Sequence, residues 1–212
     1  MHMKKFYRGM MYCIGLMILA LGIILNTKTG LGVSPIISIP YSISKIWNIN
    51  LGNATMCIYI LCVAGQAVLR GKEFRPFDLL QVPMSIIFSR IINIFNDMIV
   101  INCDNLIMNL LLLAVAIMLT GIGAYITVQM KIVPNAADGF TQALAERTKK
   151  GLGLAKNITD ISSVIITIII GLVCAGKVVG IGIGTLVAVI GVGRVIALTN
   201  MLFGKKMIAL VE

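Results

Sequence analysis

Leu31-Gly-Val-Ser-Pro-Ile-Ile-Ser-Ile-Pro-Tyr-Ser-Ile-Ser-Lys-Ile-Trp47 is too polar and too broken by proline for a comfortable membrane span, yet too regular for a loop. Ser34, Ser38, Ser42 and Lys45 recur at helical spacing and oppose Ile36, Ile39, Ile43 and Ile46. Pro40 removes a backbone donor and bends the segment. An answering stretch, Pro134-Asn-Ala-Ala-Asp-Gly-Phe-Thr-Gln-Ala-Leu-Ala-Glu146, follows at an offset of 99 residues. Pro134 stands where the first copy has Pro35, Gly139 where it has Pro40, and Asn135, Asp138 and Gln142 form a comparable polar face. Gly22 recurs as Gly121 at the same offset, without a gap. Both stretches read as short amphipathic or re-entrant helices, one in each half of a duplicated chain. The bland alternative is a pair of interfacial helices lying flat on opposite membrane faces.

Working outward, apolar runs of bilayer-spanning length surround both stretches. The chain is 58% hydrophobic and only 12% charged, with a mean hydropathy of +1.00. Six spans are expected at about 8–27, 51–70, 77–97, 105–128, 157–176 and 180–203. They make an all-α membrane protein, a single polytopic domain over residues 1–212. Repeat 1 covers about 8–98 and repeat 2 about 105–203. The first run lacks a small-residue cleavage site and reads as part of the fold.

The net charge of +10 is distributed by membrane side and not gathered on a nucleic-acid-binding patch. With the N-terminus in the cytoplasm, Lys4, Lys5, Arg8, Arg70, Lys72, Arg75, Lys131, Arg147, Lys149, Lys150, Lys156, Lys205 and Lys206 fall inside. Only Lys28, Lys45 and Lys177 fall outside, which places both termini in the cytoplasm. Three spans per half is an odd number, so the second half is expected upside down relative to the first. Inverted repeats of this kind build secondary transporters around a midplane site.

Ionisable residues inside spans are functional hypotheses by default. Arg90 and Arg194 occupy corresponding places in the last helix of each half. Arg194 lies too deep to reach water and calls for a partner. Asp160 is at a compatible depth, with Asn157 on its face. Arg90 has Asn93 and Asp97 on its own helix. The last span is glycine-dense, which permits close helix packing; alternatively, Gly184-Thr185 breaks the helix and offers backbone groups to a ligand. Cys13, Cys57, Cys62, Cys103 and Cys174 show no paired metal-ligand spacing, and His2 is the only histidine. With no nucleophile-base or metal constellation, neither an enzyme nor a cofactor is expected.

Gly32-Val-Ser-Pro35 with the Ile-Ile-Ser-Ile-Pro-Tyr-Ser that follows, Phe74-Arg-Pro-Phe-Asp-Leu-Leu-Gln-Val-Pro-Met-Ser85, Asn157-Ile-Thr-Asp160 and Gly182-Ile-Gly-Thr185 resemble the YczE/YyaS/YitT family of bacterial membrane proteins. The resemblance spans nearly the whole chain and implies a bacterial inner-membrane location more than an activity. Family members carry an acidic residue where this chain has Ile183, and some an Asp where it has Ile37. Asp138 and Asp160 are therefore the carboxylates to test.

Together these features point to an inner-membrane permease for a small polar or anionic organic solute. Ser34, Pro35, Ser38, Ser42, Pro134, Asn135, Asp138, Gly184 and Thr185 are the expected solute-binding residues. Asp160, Arg194, Arg90 and Asn157 are the expected coupling or buried-charge residues, with Asp160 and Arg194 paired. The expected partners are the lipid bilayer and the solute, with no nucleic acid and with room for a homo-oligomer. The runner-up is a non-transporting scaffold or accessory protein for secretion or a biosynthetic complex.

Overall fold

A computed structural model describes residues 2–101, 105–149 and 152–211, with the side chains of 2–5, 152–153, 205–206 and 208–211 left out. Asn102, Cys103 and Lys150 lie outside the described residues, as do the side chains of His2, Lys4, Lys5, Lys205 and Lys206. Among the described residues eight α-helices follow in order: α1 (His2–Lys28), α2 (Pro35–Trp47), α3 (Leu51–Arg70), α4 (Gln81–Met98), α5 (Leu106–Gln129), α6 (Ala136–Thr148), α7 (Leu152–Ala175) and α8 (Ile183–Val211). Each half thus runs long, short, long, long. The six long helices each contain a stretch apolar enough to cross a membrane; the 13-residue helices α2 and α6 are the two stretches singled out from the sequence.

Local chemistry sets the helix ends. Asn50, Asn105 and Asn135 cap α3, α5 and α6, each side chain accepting from a backbone N–H of the first turn. Lys149 ends α6 in the left-handed region. The sixth span begins at Ile183 and not at residue 180, because Gly176 and Gly180 take positive φ and hold residues 176–182 as a connection.

Polarity is distributed as lipid requires. Leu61, Val68, Leu106, Ile107, Val173, Leu186 and Met201 are exposed, while Ser38, Ser42, Thr55, Gln66, Gln81, Thr167 and Thr185 are buried. In water the first set would be driven inside; in hydrocarbon the polar groups must instead be satisfied within the protein. The chain is a multi-pass membrane protein. Cys13, Cys57 and Cys174 are on the apolar exterior, and Cys62 is partly buried.

The helices form two compact units, and each draws on both halves of the chain. One comprises Met1–Ser34, Ile94–Ile132 and Gly182–Glu212. In it α5 packs on α1 and α8. The α1–α5 seam is very close: a Cβ at Gly22 would stand 2.5 Å from the Thr120 backbone nitrogen and 3.0 Å from the Ala116 carbonyl oxygen. Gly121, its match in the sequence, packs on α8 at Val195 instead. The Arg8 guanidinium donates to the Met130 carbonyl at the end of α5 (2.8 Å), which complements that helix's negative end.

The other unit comprises Pro35–Asn93 and Val133–Ile181. Here α6 packs on α3 and α7, and α2 packs on α7 and α3. Each short helix therefore rests chiefly on the second span of the other half.

Candidate functional site

The second unit carries a row of hydroxyls along α7. Thr159, Ser163 and Thr167 are spaced i, i+4, and each hydroxyl donates to a backbone carbonyl one turn earlier (2.9, 2.8 and 2.7 Å). At one end Thr159 meets Thr141 of α6, oxygen to oxygen at 3.1 Å. At the other, Thr167 meets Ser38 of α2 at 2.8 Å. Eight residues of helix separate the two ends, about 12 Å at 1.5 Å per residue. One face of α7 thus links the polar faces of both short helices.

On α2 the serine stripe points inward. Ser38 and Ser42 are fully buried, whereas Ile36, Ile39 and Ile43 keep some surface. A helix lying flat on a membrane would present those serines to headgroups and water, so the protein cover on them disfavours the interfacial alternative. Among the described residues the Ser42 hydroxyl has no hydrogen-bond partner. A buried hydroxyl without a partner costs free energy and calls for an explanation.

The first turn of α6 is built around three groups. Asn135 accepts from the Ala137 N–H (3.2 Å) and donates to the Tyr59 hydroxyl of α3 (3.3 Å). Tyr59 is 1% exposed and stacks on Phe88 of α4. Asp138 follows in the same turn, within electrostatic reach of Tyr59 and Cys62 of α3 and of Lys156 and Asp160 of α7. The residue is partly buried. Removal from water lifts that carboxyl above the ordinary aspartate range; Lys156 opposes the lift and Asp160 adds to it.

One turn along, two buried glutamines face each other. Gln66 of α3 donates to Gln81 of α4 (2.8 Å) and Gln81 donates back (3.0 Å), closing a double amide hydrogen bond. The second Gln66 N–H reaches the Ala136 carbonyl at 3.1 Å. Gly139 makes this possible, since a Cβ there would stand 2.7 Å from both glutamine carbonyl oxygens. Outside this core, Arg70 at the end of α3 holds Asp78 and Glu146, each at 2.9 Å.

Several expectations need correction. Asp160, expected to need Arg194, has a cation on its own helix: it forms an ion pair with Lys156, one turn earlier on α7, at 2.6 Å. Intrahelical spacing supplied a cation that depth matching passed over. Arg194 is exposed on α8. Arg90, also exposed, donates to Asn53 at 3.3 Å and not to its own helix; Asn93 instead accepts the Gly52 N–H (2.7 Å). Asn157 is exposed, off the buried face.

Gly184 and Thr185 belong to the first unit. The Gly184 N–H donates to the Leu31 carbonyl (2.7 Å), and the Thr185 hydroxyl accepts from Gly182 N–H (3.2 Å). The backbone groups imagined for a ligand are thus engaged within the protein, which accords with the packing role of the glycines. Ser34 closes that same unit, its N–H held by Asn26 (3.0 Å) and its buried hydroxyl without a partner among the described residues. Pro35 begins α2 and is buried, and Pro134 precedes the α6 cap. The contacts shown are therefore Ser38 with Thr167 of α7 and Asn135 with Tyr59 of α3; Ser42 is buried on α2 and Asp138 lies in the first turn of α6. The α7 ladder, Tyr59 and the Gln66–Gln81 pair were missed by sequence reasoning, although lone amides within apolar runs and hydroxyls at i, i+4 signalled them.

Comparison with known proteins adds identity without chemistry. A family model described as a family of unknown function, DUF6198, matches residues 6–201. The uncharacterized protein YyaS of Bacillus subtilis (strain 168) is 26% identical over 186 residues, covering 85% of this chain and 86% of that protein. No solved structure matches.

Proposed function

We propose, for a chain that belongs to the DUF6198 family of unknown function, secondary transport of a small polar or anionic organic solute across the bacterial inner membrane. The observation that carries the reading is the hydroxyl ladder of α7, joined at its ends to Thr141 of α6 and Ser38 of α2. The ladder runs from partly buried Thr159 and Ser163 to fully buried Thr167. Short helices with polar inner faces, entered at Pro35 and Pro134, match the discontinuous helices from which transporters make midplane sites.

In this reading the two halves are inverted repeats, and the positive-inside bias places both termini in the cytoplasm. Ser38 and Asn135 would exchange their present bonds for solute, Ser42 would offer its unmet hydroxyl and Asp138 its carboxyl. The repeats themselves are poor candidates for rigid moving bodies, because each compact unit is composed of parts of both. Helices α2, α3, α6 and α7 would move together.

A thermal-shift screen of the purified protein against small organic acids, amino acids and polyols tests the function. A transported solute present at 100 times its Kd should stabilise by about 2.7 kcal/mol, several degrees in a melting curve. A scaffold would give no shift with any solute and would remove the transport reading.

A further inference from the structure

We infer that the outward face of α8 is the docking site for a membrane-spanning helix of another protein, one that carries a carboxylate in the middle of its span to meet Arg194. The inference goes beyond transport and does not depend on it, since a permease and a scaffold have equal use for such a partner.

Of the six spans α8 is the least buried, with 11% of its apolar stretch inside the protein against 17% for α7 and 56% for α1. Its inward face is fully used: Ala188 clusters with Leu113 and Ile117 of α5, and Gly191 and Val195 pack on Ile117 and Gly121 of the same helix. The opposite face is a row in alternate steps of four and three residues, Ile183, Val187, Ile190, Arg194, Ala197 and Met201, and every member is exposed. That is the spacing by which one helix packs along another in a left-handed seam.

Hydrocarbon satisfies the apolar members of the row but not Arg194. The apolar stretch runs from Ile183 to Gly204, and Arg194 stands about 15 Å of helix from either end, too far for its side chain to carry the charge to the interface. Within its unit Arg194 has neither a hydrogen bond nor an ion pair. A guanidinium at that depth is costly unless paired, and a carboxylate pairs it best because it accepts two parallel N–H bonds. Gly193 leaves room beside it, since a Cβ there would meet nothing within 4 Å, and a second backbone can come close. A second copy of the chain does not fit the charge. Among the described residues the exposed acids are Glu73, Asp97 and Glu146, none in the middle of a span, and Glu146 is already bound to Arg70. Two copies joined two-fold through this face would also bring their Arg194 charges together.

Two leucine-rich transmembrane peptides of about 20 residues, one with a single Glu at its centre and one with Gln there, are the probes. Energy transfer from the labelled full chain in lipid vesicles measures their association. The Glu peptide should bind about tenfold more tightly than the Gln peptide; Arg194→Lys should keep that preference and Arg194→Leu should erase it. Arg194→Leu should also fold, because the side chain holds nothing in its unit, and an unchanged melting temperature in detergent checks this. The wild-type and Arg194→Lys arms decide even if it does not. In native membranes, a photoreactive residue in place of Ile190 should give an adduct with another protein that Arg194→Leu removes. Equal binding of the two peptides would show that lipid or water already serves Arg194 and would overturn the proposal. So would a native adduct of twice the chain's mass, which means a second copy, an adduct confined to lipid or to the chain itself, or a protein adduct indifferent to Arg194→Leu.

Discussion

Gly22→Leu is expected to leave little or no folded protein in the membrane. The position permits the backbones of α1 and α5 to touch, and even a methyl group would press on the Thr120 backbone nitrogen and the Ala116 carbonyl oxygen, neither of which is the flexible end of a side chain. Overpacking a fitted interior costs about 1–3 kcal/mol when side chains can shift. Here the obstacle is backbone, so Gly22→Ala should already reach that range and Leu should exceed it. Gly193→Ala is the control, because a Cβ at that place in α8 meets nothing within 4 Å. Melting temperature in detergent measures both. A Gly22→Leu protein that melts with the wild type would show that the α1–α5 seam is not as close as described.

Gln66→Leu should be the most damaging polar change. It removes three hydrogen bonds, two shared with Gln81 and one to Ala136. A hydrogen bond between membrane helices is worth about 0.6–2 kcal/mol, so losing three is expected to cost about 2–6 kcal/mol. The single variant also strands the Gln81 amide at a buried position. Gln66→Leu with Gln81→Leu removes the stranded group, and the double variant should be more stable than Gln66→Leu alone. If the double variant loses the sum of the two single losses, the glutamines do not act as a pair.

Much of this could be read from the residues. Apolar run length located six spans, and proline with polar periodicity located α2 and α6, because both signals are local. Span ends were less legible: α7 starts at Leu152 and not near 157, and α8 starts at Ile183 and extends to Val211. Glycines in the left-handed region set the α7–α8 connection, and glycine in an apolar run reads equally well as helix. The grouping of helices into interleaved units was out of reach, since each short helix packs chiefly on a span from the other half. At the site, attention to charge depth favoured Arg194 for Asp160, while Lys156 stood four residues away on the same face. The α7 ladder was written in Thr159, Ser163 and Thr167, but hydroxyls that bond their own helix look like ordinary lipid-span residues until a neighbour meets them.

The central claim is that the buried polar face joining α2, α7 and α6 is reached by water and solute. A single cysteine at Ser42, in a chain with Cys13, Cys57, Cys62, Cys103 and Cys174 replaced, tests it most directly with a membrane-impermeant thiol reagent. A second cysteine at Lys149, in the connection after α6, reports orientation. In intact cells the Ser42→Cys protein should be labelled, more slowly once a stabilising solute is present, and Lys149→Cys should be labelled only after the membrane is opened. A Ser42→Cys protein that stays unlabelled under every condition, or a Lys149→Cys protein labelled in intact cells, would contradict the account.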